Sequence, residues 1–106
     1  MTINSRRKGK AGELELAHFL INHGFPARRG QQFKGGAGSP DVVCDSLPRI
    51  HFEAKRVERG NLHEWLAQAT RDAGDKVPVV AHRRSRGDWV AILPLADLLK
   101  ILMGIY

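Results

Sequence analysis

Between Gly12 and Asn22 the spacing is helical: Leu16, Ala17 and Leu20, with Glu13 one turn before them, fall at i+3, i+4, i+7 and i of one face. Glu15, His18 and Asn22 mark the opposite, polar face, and Gly24 with Pro26 ends the pattern. The spacing predicts a helix over 12–22, preceded by a flexible basic arm at 1–11. A short extended piece at Ala27–Arg29 then enters Gly30–Pro40, which contains Lys34-Gly35-Gly36-Ala37-Gly38-Ser39-Pro40 and no apolar period, as expected of a functional loop. Asp41–Asp45 and Ile50–Val57 read as two strands of a hairpin turning through Ser46-Leu47-Pro48. Asn61, with Glu64 three residues later, opens a helix that runs to Ala73 and is closed by Gly74-Asp75. Val77–His82 and Trp89–Leu93 are predicted strands. Leu95–Met103 forms a last helix with Leu95, Leu98, Leu99 and Leu102 on one stripe. The order α-β-β-β-α-β-β-α predicts a single α/β domain with a mixed central β-sheet flanked by helices.

Composition narrows the class. The 106 residues suit one domain, and 42% hydrophobic with 26% charged is ordinary for a globular chain. The longest nearly apolar run, Ile92–Tyr106, is interrupted by Pro94, Asp97 and Lys100 and falls short of the roughly 18 apolar residues of a membrane span. The basic N-terminus has no apolar core of a secretory signal. Cys44 is the only cysteine, which excludes an intrachain disulfide and a multi-cysteine zinc site. A reducing, cytoplasmic protein with no membrane partner is expected.

Charge changes the picture most. Seventeen Lys and Arg against eleven Asp and Glu give +6, with a pI near 10.1. The bases cluster as Arg6, Arg7, Lys8 and Lys10, then Arg28 and Arg29, then Lys55, Arg56 and Arg59, then Arg83, Arg84 and Arg86. Eleven are arginine, whose planar fork suits phosphate. This is the electrostatic footprint of a nucleic-acid partner.

The candidate chemistry lies in Ser39-Pro40-Asp41-Val42-Val43 and Glu53-Ala54-Lys55. Strand alternation sends Glu53 and Lys55 to the same side. Hairpin pairing brings Asp41 beside Glu53. Two carboxylates at a strand end make a hard-oxygen site for Mg²⁺, with the carbonyl of Ala54 as a further ligand. Such a cation polarises a phosphodiester and lowers the pKa of its water. Lys55 then orients or deprotonates that water, or neutralises charge developing on the phosphate. Glu13, on the apolar helical stripe, is either a helix-N-terminal acid favoured by the macrodipole or a carboxylate facing the metal through water. Glu and Lys two apart on a strand also occur as plain polar face, so the weight rests on the combination of loop, Pro-Asp and Glu-x-Lys.

Pro40-Asp41…Glu53-Ala54-Lys55 resembles the PD-(D/E)xK nuclease superfamily. Arg7-Lys8-Gly9, Glu13-Leu14-Glu15-Leu16, His23-Gly24-Phe25 and Arg29 are similar to the opening of archaeal-type Holliday junction-resolving enzymes. The likeness covers about residues 6–73, and the tail from Gly74 to Tyr106 looks like small phage-encoded members. The resemblance implies a restriction-endonuclease-like nuclease fold over 12–106 and a homodimer that cuts four-way DNA junctions by paired symmetric nicks. It implies Glu13, Asp41, Glu53 and Lys55 as catalytic residues, Asp41, Glu53 and Ala54 as ligands to Mg²⁺ (or Mn²⁺), and Gln68 as a supporting residue. Arg7 and Arg29 match bases that hold DNA phosphates; Arg6, Lys8, Lys10, Lys34, Ser39 and Arg56 are further expected DNA contacts. A phage-encoded member would act in the host cytoplasm.

Other features carry less. His18, His23, His51, His63 and His82 show no zinc spacing, and His51, though it shares a strand face with Glu53, is expected at the surface. The glycine-rich loop lacks the ending of a P-loop. Cys44 is expected buried, on the face away from Asp41. The C-terminal helix, with Ile101, Ile105 and Tyr106, is a candidate dimer patch, while Trp65 and Trp89 are expected in the core. Two alternatives stay open: another nuclease of the same fold, of flap, nicking or restriction type, and a catalytically silent DNA-binding protein.

Overall fold

The computed structural model describes residues 3–30 and 39–105, with side chains from residue 9 onward. The side chains of Arg6, Arg7 and Lys8, the loop position Lys34 and the terminal Tyr106 therefore lie outside the described residues. The elements are α1 (Ile3–Asn22), β1 (Arg28–Arg29), β2 (Val42–Val43), β3 (Ile50–Lys55), α2 (Leu62–Ala73), β4 (Val77–His82), β5 (Val90–Ile92) and α3 (Leu95–Leu102). This is the expected order. The five strands form one mixed sheet in the order β1-β2-β3-β4-β5. Only β3 and β4 run parallel, paired from Ile50↔Val77 to Lys55↔His82, with α2 as the crossover between them.

Inner strands covered on both faces read as continuous apolar runs, and β4 is buried from Val77 through Ala81. Pro78 is tolerated there because β5 joins β4 only from Val80↔Ile92 onward, so the missing N–H interrupts no rung on that side. Leu16, Ala17 and Leu20 of α1 close over Val42, Cys44, Phe52, Val77, Val79 and Ala81, and Cys44 is buried as expected. On α2, Ala69 and Ala73 are the buried residues of the helix. The Asn61 side chain caps α2 by accepting from the backbone N–H groups of His63 and Glu64 at 3.0 and 3.1 Å.

Two elements depart from expectation. The segment read as an arm is helical from Ile3, so Gly9 lies inside α1 rather than before it, and Gly12 lies mid-helix rather than at its start. Arg, Lys and Ala between them are good helix formers and outweigh two glycines. Gly12 also has a packing reason: a Cβ there would lie 2.8 Å from Cβ of Arg56, so its bareness lets α1 approach the end of β3. The second departure is α3, in which no residue is buried. Ile101 packs on the core, whereas Leu95, Leu99 and Leu102 of the leucine stripe point outward. Among the described residues no helix is long and apolar enough to cross a membrane.

Candidate active site

The site begins where β2 parts from β3. Val42 pairs with Phe52, and the N–H of Asp41 donates to the carbonyl of that same Phe52 at 2.9 Å. Preceded by proline, the chain then leaves the sheet, and Oδ2 of Asp41 accepts the N–H of Ala54 at 2.9 Å. On the other side Gly30 donates its N–H to the carbonyl of Asp41 at 2.8 Å. A Cβ on Gly30 would fall 2.0 Å from the carbonyl oxygen of Pro40, so only glycine permits this approach. Asp41 is thus pinned through its N–H, its carbonyl and its carboxylate.

Its carboxyl is raised from 3.8 to about 6, chiefly by burial and next by the charge of Glu53. Glu13 pushes in the same direction. The Ala54 N–H and the Lys55 ammonium oppose it. The four residues expected to act together, Glu13, Asp41, Glu53 and Lys55, therefore share one electrostatic neighbourhood, with Ala54 bonded into it.

Glu53 is 8% exposed, and its Oε2 lies 3.3 Å from Nε2 of His51. Among the described residues neither of those two atoms has a hydrogen-bond partner. His51 is 2% exposed, which corrects the expectation of a surface residue. It sits on an inner strand with helices over both faces, so strand alternation moves it only from one covered face to the other. The signal was present in the sequence, two residues before Glu53 and on its side of the strand.

Two acids of α1, Glu13 and Glu15, hold three of the arginines around the site. Nε of Arg29 donates to Glu13 Oε1 at 2.9 Å, and Nε of Arg56 donates to Glu15 at 3.1 Å. Arg83 also donates to Glu15. Glu15, read as part of a solvated face, thus bridges the ends of β3 and β4. Arg29 and Arg56, expected on DNA, are each held by a carboxylate of the same chain. Nζ of Lys55 lies 5.9 Å from the centre of the Trp65 ring, within cation–π range. Trp65, expected in the core, is half-buried and rests against His82 at 4.9 Å between ring centres. Trp89 is partly buried and packed against the core, as expected. Lys10 and Gln68 are exposed, and Ser39 is half-buried.

Among the described residues no group of three or more His, Cys, Asp or Glu side chains forms a ready-made metal cage. What the site offers is two crowded carboxylates, Asp41 and Glu53, with the charge of the second helping to raise the first. That donor set fits Mg²⁺, which is commonly held by one or two carboxylates and keeps several waters. A divalent cation would relieve the Glu53 repulsion that adds to burial in raising Asp41. A cleft of about 520 Å³ is lined by Arg59, Arg84 and Arg86 together with Glu58, in the segments that follow β3 and β4, whose ends are tied where the N–H of Arg83 donates to the carbonyl of Lys55 at 3.0 Å. Reading the basic clusters from sequence had not selected these three as binding residues. No known family model matches the chain, and no curated protein or solved structure matches it.

Proposed function

We propose that this chain is a Mg²⁺-dependent, structure-selective DNA endonuclease with a restriction-endonuclease-like nuclease fold, resolving four-way junctions by paired nicks. The observation that carries the reading is the crowding of Asp41 against Glu53, with Lys55 two residues further along the same strand. A positively charged chain whose buried acids converge at a strand end has a use for them if phosphodiester oxygens and a cation meet there. Asp41, Glu53 and the carbonyl of Ala54 would hold the cation, which when bound polarises the phosphate and acidifies a water. Glu13, fixed by Arg29, adds negative charge beside Asp41 and can hold a water from the α1 side. Lys55, steadied over Trp65, orients that water or neutralises charge developing on the phosphate. Arg59, Arg84 and Arg86 supply phosphate contacts, which position a substrate without reading its bases. Paired nicks need two symmetric sites, and the exposed leucine face of α3 is a surface through which two copies can associate.

The decisive experiment incubates the protein with a four-way junction and with a linear duplex of matched sequence, in Mg²⁺ and in EDTA. Paired nicks confined to the junction and abolished by EDTA are expected. Equal cutting of both substrates would leave a nuclease of another type, and salt-sensitive binding without cleavage would leave a silent binder.

A further inference from the structure

We infer that His51 is a positioning residue for Glu53: its Nε2–H anchors Oε2 of the carboxylate and leaves the rest of the group to the cation. The inference rests on the nuclease reading above. It starts from two buried polar atoms that face only each other. Oε2 of Glu53 and Nε2 of His51 are 3.3 Å apart, and their side chains are 10% and 2% exposed. Among the described residues neither atom has a hydrogen-bond partner. An ionised carboxylate oxygen can only accept, so in that form of Glu53 the bridging proton is the imidazole's. With Nε2 unprotonated, two lone pairs would confront each other in a place water does not reach. The two atoms are already within hydrogen-bond distance, so the Nε2–H form satisfies both once the imidazole turns to aim its N–H at Oε2.

The consequence is directional. Because Oε2 is buried against His51, the other carboxylate oxygen of Glu53 is the one left to a cation. A carboxylate held by one oxygen cannot rotate freely, so its remaining oxygen is presented to a cation at low entropic cost. Partners of this kind behind a metal ligand commonly change metal affinity about 10- to 100-fold.

Two measurements test this. Long-range proton–nitrogen correlation spectra of the metal-free protein should show His51 protonated at Nε2; an unprotonated Nε2 would overturn the inference. Mn²⁺ binding, followed by electron paramagnetic resonance without DNA, should weaken about tenfold or more in His51→Leu. In His51→Gln, whose amide still donates, most of the affinity should return. Wild-type affinity in a folded His51→Leu protein would also overturn it. Should His51→Leu fail to fold, the tautomer and the His51→Gln affinity still decide. Absence of Mn²⁺ binding by the wild type would instead remove the nuclease reading on which the inference stands.

Discussion

Asp41 and Ala54 are joined by a bond that no strand ladder supplies, from a backbone N–H to a side-chain carboxylate at 2.9 Å. This bond opposes the burial and the Glu53 charge that together raise the Asp41 carboxyl to about 6. Since the ordinary value is 3.8, the folded protein holds a proton between those values that the unfolded chain releases. The contribution to stability is full below 3.8 and is lost as pH rises through about 6.

The Asp41→Asn protein, whose amide oxygen can still accept from Ala54, should therefore be more stable than wild type at neutral pH in EDTA. The expected gain is about 1–3 kcal/mol, shrinking to nothing in acid, while cleavage is lost. Thermal melts of both proteins across the acid range check this; a difference that does not vary with pH would refute it.

Gly30→Ala places a methyl group against the Pro40 carbonyl, backbone against backbone. The clash must move the segment that carries Asp41. A loss of about 1–3 kcal/mol in urea denaturation is expected, with nuclease activity falling further than stability alone explains. A variant with unchanged urea midpoint and activity would show that the approach is not needed.

Glu15 carries two arginines, Arg56 and Arg83, on one carboxylate. Glu15→Gln leaves the two guanidinium groups facing each other. The site is about one-third exposed, so screening limits the loss to about 1 kcal/mol. High salt should shrink it further, which paired unfolding curves at two ionic strengths will reveal.

If the α3 face joins two copies, Leu99→Glu combined with Leu102→Glu should yield a monomer of the 11.8 kDa chain in sedimentation. These residues are 51% and 73% exposed, so the changes should not disturb the fold of one copy. A wild-type protein that sediments as a monomer with and without junction DNA would remove the paired-nick mechanism.

Sequence reasoning reached β4 with its boundaries and α2 with its Asn61 cap because both rest on local signals, a continuous apolar run and a side chain three residues from its target. It also drew Asp41, Glu53 and Lys55 together, since strand alternation and a hairpin determine that geometry. It went astray wherever the answer depended on a partner distant in the chain. Glu15 looked solvated until Arg56 and Arg83 arrived from 41 and 68 residues away. His51 looked superficial because nothing local reports that β3 is an inner strand. On α3, leucine outnumbers isoleucine, yet Ile101 is the residue that meets the core.

The two-residue strands β1 and β2 carry Arg29 and border Asp41, while β4 is buried along nearly its whole length and supplies none of the candidate acids. Amide hydrogens should accordingly exchange slowly on β4 and readily on β1 and β2, where few backbone bonds hold the chain. The acids sit on the border between these two regimes. Local opening of β1 and β2 would part Asp41 from Glu53, which stays on the inner strand β3, and so relieve their repulsion without unfolding the centre of the sheet.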